Sequence, residues 1–138
     1  HIHFAKSGCC VFFVYLEKQK NSRSDFMKKL EVITRPEKLE DVKGVLDESG
    51  IYGMTVTMVS GCGLQKGVKE VYRGTELNIN LLPKIKIEIV VKDSQVDSLT
   101  DALVEAIKTG EIGDGKIFIY ETHDAVRIRT GERGEDAV

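Results

Sequence analysis

Twice along this chain a strand-like run leads into an amphipathic helical stripe, a glycine stop and a second strand-like run. That duplication leaves few folds open. In the first pass Leu30–Arg35 (LEVITR) is rich in β-formers and closes at Pro36, a residue suited to the first turn of a helix. Glu37, Glu40 and Asp41 follow near the helix's positive end. Leu39, Val42, Val45 and Leu46 recur at helical spacing, so one apolar stripe runs to about Ser49 before Gly50 ends it. Met54, Val56 and Met58 then alternate with Thr55 and Thr57, predicting a half-buried strand over Met54–Val59. In the second pass Ile85, Ile87 and Ile89 alternate with Lys84, Lys86 and Glu88, giving a strand over Ile85–Val91. Asp93 or Ser94 is expected to cap a helix whose stripe is Val96, Leu99, Leu103, Ala106 and Ile107. Gly110 ends it, and Lys116–Glu121 (KIFIYE) is the fourth strand. Two βαβ units sharing one four-stranded sheet, with both helices on one face, make an α+β, ferredoxin-like arrangement. The other face is left bare, and apolar residues on it predict oligomerisation.

The two units are joined by an unusually long connection, Gly61–Lys84 (GCGLQKGVKEVYRGTELNINLLPK). Linkers in compact domains are mostly short, and unstructured ones above about 12–15 residues are uncommon. Ordering such a loop costs conformational entropy, so its retention points to function, the alternative being a disordered insertion. Gly61, Gly63 and Gly67 give flexible backbone, Gln65 a side-chain amide and Lys66 a cation. Tyr72-Arg73-Gly74 offers an aromatic ring and a charge suited to burial in a partner.

Bulk properties narrow the classes. The chain has 138 residues, 41% hydrophobic and 30% charged, which suits one soluble domain with one core. A net charge of −2 supplies no global basic field for nucleic acid or acidic lipid. Three cysteines (Cys9, Cys10, Cys62) fit neither a disulfide framework nor a zinc site, and reduced thiols suit a cytoplasm. No run approaches the roughly 20 apolar residues of a membrane span. Residues 1–26 hold the apolar run Cys9–Leu16 and then a polar segment, with Met27 expected as the start of the folded domain. The preceding segment reads as an extension, or alternatively as an extra strand.

Two further segments carry chemistry. Lys108–Lys116 (KTGEIGDGK) places glycines between the second helix and fourth strand, where backbone N–H groups can approach an anion and Lys116 adds a charge. It also reads as a plain turn, and it is not a P-loop. Arg127-Ile128-Arg129 follows the last strand. Alternation there would put both guanidinium groups on one side, with Ile128 turned inward, and two forks suit phosphates. A solvated basic edge is the other reading. Cys62 has no histidine near it in sequence to activate it, and His123 reads as a surface residue.

GMTVT before the loop, GxGxQKG opening it, VYRGTEL at its centre, LPKIKIEIVV after it, TGEIGDGKIFIY and VRIRTGE together resemble the PII signal-transduction family over Met27 to Val138. The resemblance implies a homotrimer with ATP or ADP between subunits, and 2-oxoglutarate beside Mg²⁺-ATP at the base of a T-loop (about 63–81). The B-loop (about 108–116) and C-loop (about 126–134) complete the site. It assigns nucleotide binding to Thr55, Gly61, Gly63, Gln65, Thr109, Gly110, Gly113, Asp114, Gly115, Lys116, Arg127 and Arg129. Gln65, Lys66, Gly67 and Lys84 would bind 2-oxoglutarate, with Gln65 also joining the Mg²⁺ shell. Tyr72, Arg73, Gly74, Thr75, Glu76 and Leu77 would meet partners such as an ammonium channel or nitrogen-assimilation enzymes and regulators. Membrane contact would then be indirect.

Leu64 departs from an arginine common in proteobacterial members, and Thr75 stands where cyanobacterial members carry a phosphorylated serine. A regulatory sensor of nucleotide and 2-oxoglutarate is the reading these motifs support. The alternative is a ferredoxin-like nucleotide-binding regulator of a different metabolic signal. An enzyme would need a placed histidine or paired carboxylates, so at most slow ATP hydrolysis is expected. An RNA-binding module would need aromatics on its central strands, where IKIEIVV stands instead.

Leu77 occupies the place of the tyrosine that proteobacterial members uridylylate. Intact mass after incubation with a uridylyltransferase and UTP should therefore be unchanged. Addition of one uridylyl group at Tyr72 would contradict this.

Overall fold

The computed structural model describes residues 26–63, 69–78 and 81–138, and within 69–72 and 75–78 it describes the backbone. Most of the N-terminal extension, along with Leu64, Gln65, Lys66 and Gly67, lies outside the described residues. The chain runs β1 (Met27–Thr34), a 3₁₀ turn at Pro36–Lys38, α1 (Leu39–Glu48), β2 (Thr55–Gly61), β3 (Lys69–Tyr72) and β4 (Thr75–Asn78). β5 (Leu82–Lys92), a 3₁₀ turn at Asp93–Gln95, α2 (Val96–Ile107), β6 (Lys116–Thr122) and a final turn at Gly134–Ala137 follow. The four-stranded sheet has the order β2-β5-β1-β6, every neighbouring pair antiparallel. The ferredoxin-like subunit expected from the two βαβ passes is the fold observed.

Alternation builds the core. Register sets Leu30 opposite Ile89 and Val32 opposite Ile87, so these side chains share the helix-covered face. Val42 and Leu46 of α1 and Leu99, Leu103 and Ile107 of α2 close over them, all buried. Each such side chain removed from water contributes roughly 1.5–3 kcal/mol. Thr34 ends the β1 series opposite Ile85 and is wholly buried despite its hydroxyl.

The first glycine stop acts as expected. The Ile51 amide donates to Leu46 O at 2.8 Å and the Gly50 amide to Asp47 O at 3.0 Å, with Gly50 at φ 70°. That pairing is a Schellman motif, and Ile51 packs against the core beyond it. The second helix stops before its glycine: α2 ends at Ile107, Lys108 is already extended at φ −62° and ψ 138°, and Gly110 at φ 84° turns the chain two residues later. Capping differs from expectation: neither Asp93 nor Ser94 caps α2. The chain is already helical at Asp93, and the Lys92 amide donates instead to Gln95 Oε1 at 3.3 Å.

Two other expectations are corrected. β2 is not half-buried within one chain: Val56 is 38% and Met58 68% exposed. Both lie opposite core isoleucines, yet β2 is an edge strand and no β2 side chain joins the core cluster. The long connection also contains a hairpin, β3–β4, turning through Arg73 and Gly74 at φ 52° and 80°. Two successive positive φ values match the type I′ turn that suits hairpin twist. The uncovered sheet face carries charged residues beside its apolar ones. Lys29 donates to Glu88 at 3.1 Å and stands 5.1 Å from the Tyr120 ring, while Lys86 lies 3.9 Å from the same carboxylate.

Candidate functional site

The turn from α2 to β6 crosses the end of β1 at very short range. Gly115 sits at φ 104°, and a Cβ built there would stand 1.7 Å from the Ile33 carbonyl oxygen. Only glycine fits this crossing. From the sheet, three side chains reach up and bind three successive carbonyls of the turn. Arg35 Nη2 donates to Ile112 O at 2.9 Å, Lys84 Nζ to Gly113 O at 2.6 Å, and Thr34 Oγ1 to Asp114 O at 2.8 Å. With those carbonyls held by the scaffold, the amides of Gly113 and Gly115 donate to no group among the described residues, while the Asp114 amide closes the turn over 112–113. Unpaired N–H groups of this kind suit an anion-binding nest.

Asp114 turns its carboxylate back on its own loop. It accepts from the Thr109 amide at 2.8 Å, the Gly110 amide at 3.0 Å and the Thr109 hydroxyl, with Arg35 Nε 3.6 Å away. The Thr109 hydroxyl and amide, joined by Gly110 and Arg35, hold its pKa down at about 2. Lys84 is pushed the other way for a cation: burial and the neighbouring Arg35 lower its pKa, opposed by Glu37 and Asp114.

A cavity of about 430 Å³ opens in front of the turn. It brings together Gly61, Gly63, Lys84 and Gly113 through Lys116. Thr109 and Gly110 stand behind it, their amides taken by Asp114. Thr55 and Arg127 are elsewhere, lining a separate cavity of about 850 Å³ with Tyr52, Glu88 and the C-terminal Val138. Arg127 Nη1 is held there by the Glu132 carboxylate, which also accepts from Thr130 Oγ1 at 2.8 Å. A single chain thus keeps these two groups of residues in separate cavities. Ile128 is fully exposed, not turned inward as alternation suggested, because residues 128–130 form a turn and not a strand. Thr34, Arg35 and Glu132 were missed from sequence. The one available signal was a threonine continuing the buried Leu30, Val32 series.

The split βαβ scaffold defines a subunit of ferredoxin-like topology whose α2–β6 turn has the chemistry suited to an anion. A family model described as nitrogen regulatory protein P-II matches residues 27–132. The nitrogen regulatory protein P-II of Pasteurella multocida is 55% identical over 112 residues, covering 81% of this chain and all of that one. The P-II 2 protein of Methanothermobacter thermautotrophicus is 56% identical over 113 residues, covering 82% and 98%. The solved B. subtilis GlnK–ATP complex superposes with a TM-score of 0.69 at 41% identity, covering 83% of this chain and 98% of that one. The chain belongs to the nitrogen regulatory protein P-II family.

Gly115→Ala should cost about 2–4 kcal/mol, since left-handed strain and overpacking against backbone combine. Urea unfolding checks this, and a loss below about 0.5 kcal/mol, the scatter of ordinary surface changes, contradicts it. Because Asp114 has its pKa depressed from 3.8 to about 2, its contribution is present above pH 3.8 and lost as pH falls through 2. Asp114→Asn should therefore flatten the acid limb of the stability–pH curve in that window. An unchanged limb would refute the assignment.

Proposed function

We propose that this chain is a nitrogen-regulatory signal-transduction subunit that binds ATP or ADP between neighbouring copies of a homotrimer. It also senses 2-oxoglutarate and signals through the Gly61–Lys84 connection. One observation carries this reading: the carbonyls of 112–114 are tied to the sheet while the amides of Gly113 and Gly115 meet no acceptor among the described residues. Such amides with Lys116 beside them suit the phosphates of a nucleotide. The ATP in the B. subtilis relative supports the same choice. The separation of Arg127 and Thr55 from the turn is the arrangement expected if a second copy supplies them. Arg127 would then meet phosphate with the donors that Glu132 leaves unused, and Arg129 would join it.

No group of three His, Cys, Asp or Glu side chains among the described residues is placed to hold a metal. Mg²⁺ would be carried mainly by phosphate oxygens, the usual mode for this ion, with Gln65 as a side-chain ligand. When bound, the ion supplies positive charge between triphosphate and dicarboxylate. Lys84, at the cavity wall, offers the second positive charge to a 2-oxoglutarate carboxylate, with Lys66 and Gly67 close in sequence to Gln65. The protein is a regulator and not an enzyme, with at most slow ATP hydrolysis, acting in the cytoplasm. Tyr72 through Leu77, centred on the Arg73–Gly74 turn, would meet the partner, such as an ammonium channel or a nitrogen-assimilation enzyme.

Binding should be ordered. Titration calorimetry should show 2-oxoglutarate heat with Mg²⁺-ATP and none with ADP or without magnesium. Gln65→Ala should leave ATP binding nearly intact and weaken 2-oxoglutarate by about 1–3 kcal/mol, the cost of one contact to a charged site. Equal heats with ADP would refute the bridge.

A further inference from the structure

Arg35 stands between the sheet and the anion-binding turn without lining the cavity in front of that turn. The following Pro36 restricts it to extended backbone, observed at φ −66° and ψ 141°. Its side chain therefore leaves the end of β1 toward residues 112–114 and is only 18% exposed. Nη2 donates to the Ile112 carbonyl at 2.9 Å. Nε is buried with no hydrogen-bond partner and lies 3.6 Å from Asp114 Oδ1. That carboxylate in turn clasps the amides of Thr109 and Gly110. One planar fork thus spans the turn from its first residue to its apex. The cavity it does line is a separate one of about 260 Å³, shared with Glu37, Pro83 and Lys84.

We infer that Arg35 is a positioning residue for nucleotide binding, setting the direction of the Gly113–Gly115 amides through Ile112 and Asp114 without touching the phosphates. The inference rests on the nucleotide site proposed above. A lysine cannot reproduce it, because an ammonium is a point charge and lacks the fixed two-sided geometry of a guanidinium.

The test compares the full chain with Arg35→Met and Arg35→Lys. ATP affinity is measured by calorimetry, and the Gly113, Asp114 and Gly115 amide resonances are followed by NMR before any nucleotide is added. Both variants should bind ATP about tenfold more weakly, the scale of one lost hydrogen bond to a charged group. Both should also shift those three amide resonances in the nucleotide-free protein, and adenosine, which lacks phosphate, should bind all three proteins equally. Should Arg35→Met fail to fold, Arg35→Lys carries the comparison alone. Wild-type ATP affinity in Arg35→Lys, or weakened ATP binding with unmoved nucleotide-free resonances, overturns the inference. If the wild-type chain takes no ATP, the proposed function fails. The nucleotide-free resonances then still decide whether Arg35 sets the turn.

Discussion

The approach of Gly115 to the Ile33 carbonyl holds the α2–β6 turn against the end of β1, and the rest of the site depends on it. At that distance the Thr34 hydroxyl, the Arg35 guanidinium and the Lys84 amine all reach backbone carbonyls of the turn. A peptide unit presents its carbonyl and amide in opposite directions, so fixing the one side aims the other. The nest is therefore a product of the sheet. β1 and β5 are the two central strands, fully paired and anchored by the isoleucine core, so the donors rest on the most rigid part of the fold.

The same sheet supports the proposal that a second copy completes the site. Its edge strands expose Val56 and Met58 on one side and Phe118, Ile119 and Tyr120 on the other. Apolar edges of this kind are suited to covering by another copy. The Glu132 contact gives Arg127 a defined direction: a hydrogen-bonded counter-ion fixes the guanidinium, which under the proposed function lowers the entropy it would lose on meeting phosphate. Charge on the uncovered face is likewise organised. Lys29 and Glu88 stabilise each other's ionised forms, and each shifts the other's pKa in the direction that keeps the pair charged.

Most of the scaffold was legible in the sequence because it rests on periodicity. Ile85, Ile87 and Ile89 at alternate positions and the α1 and α2 stripes at helical spacing each have one low-energy arrangement, and Gly50 marks the first stop. Features that depend on distant residues were not legible. Val56 and Met58 carry a strand pattern, but their burial depends on the sheet order, which places β2 at an edge. Arg73-Gly74 was hidden as a hairpin turn because asparagine or aspartate usually precedes glycine there. Ile128 followed no strand rule because its segment turns. Lys116 and the glycines could be found from composition, whereas Thr34 and Arg35 meet the turn's carbonyls only once it folds over them.

The central claim is that one copy supplies the amide nest and a neighbour supplies the arginine fork. Complementation tests it most directly. Lys116→Ala damages the nest side and Arg127→Ala the fork side, so each variant alone should bind ATP poorly. Co-refolding the two should restore ATP binding at those interfaces that pair an intact nest with an intact fork. Recovery of near wild-type affinity in a fraction of sites is the predicted result. No recovery in mixed oligomers of verified composition would contradict the account.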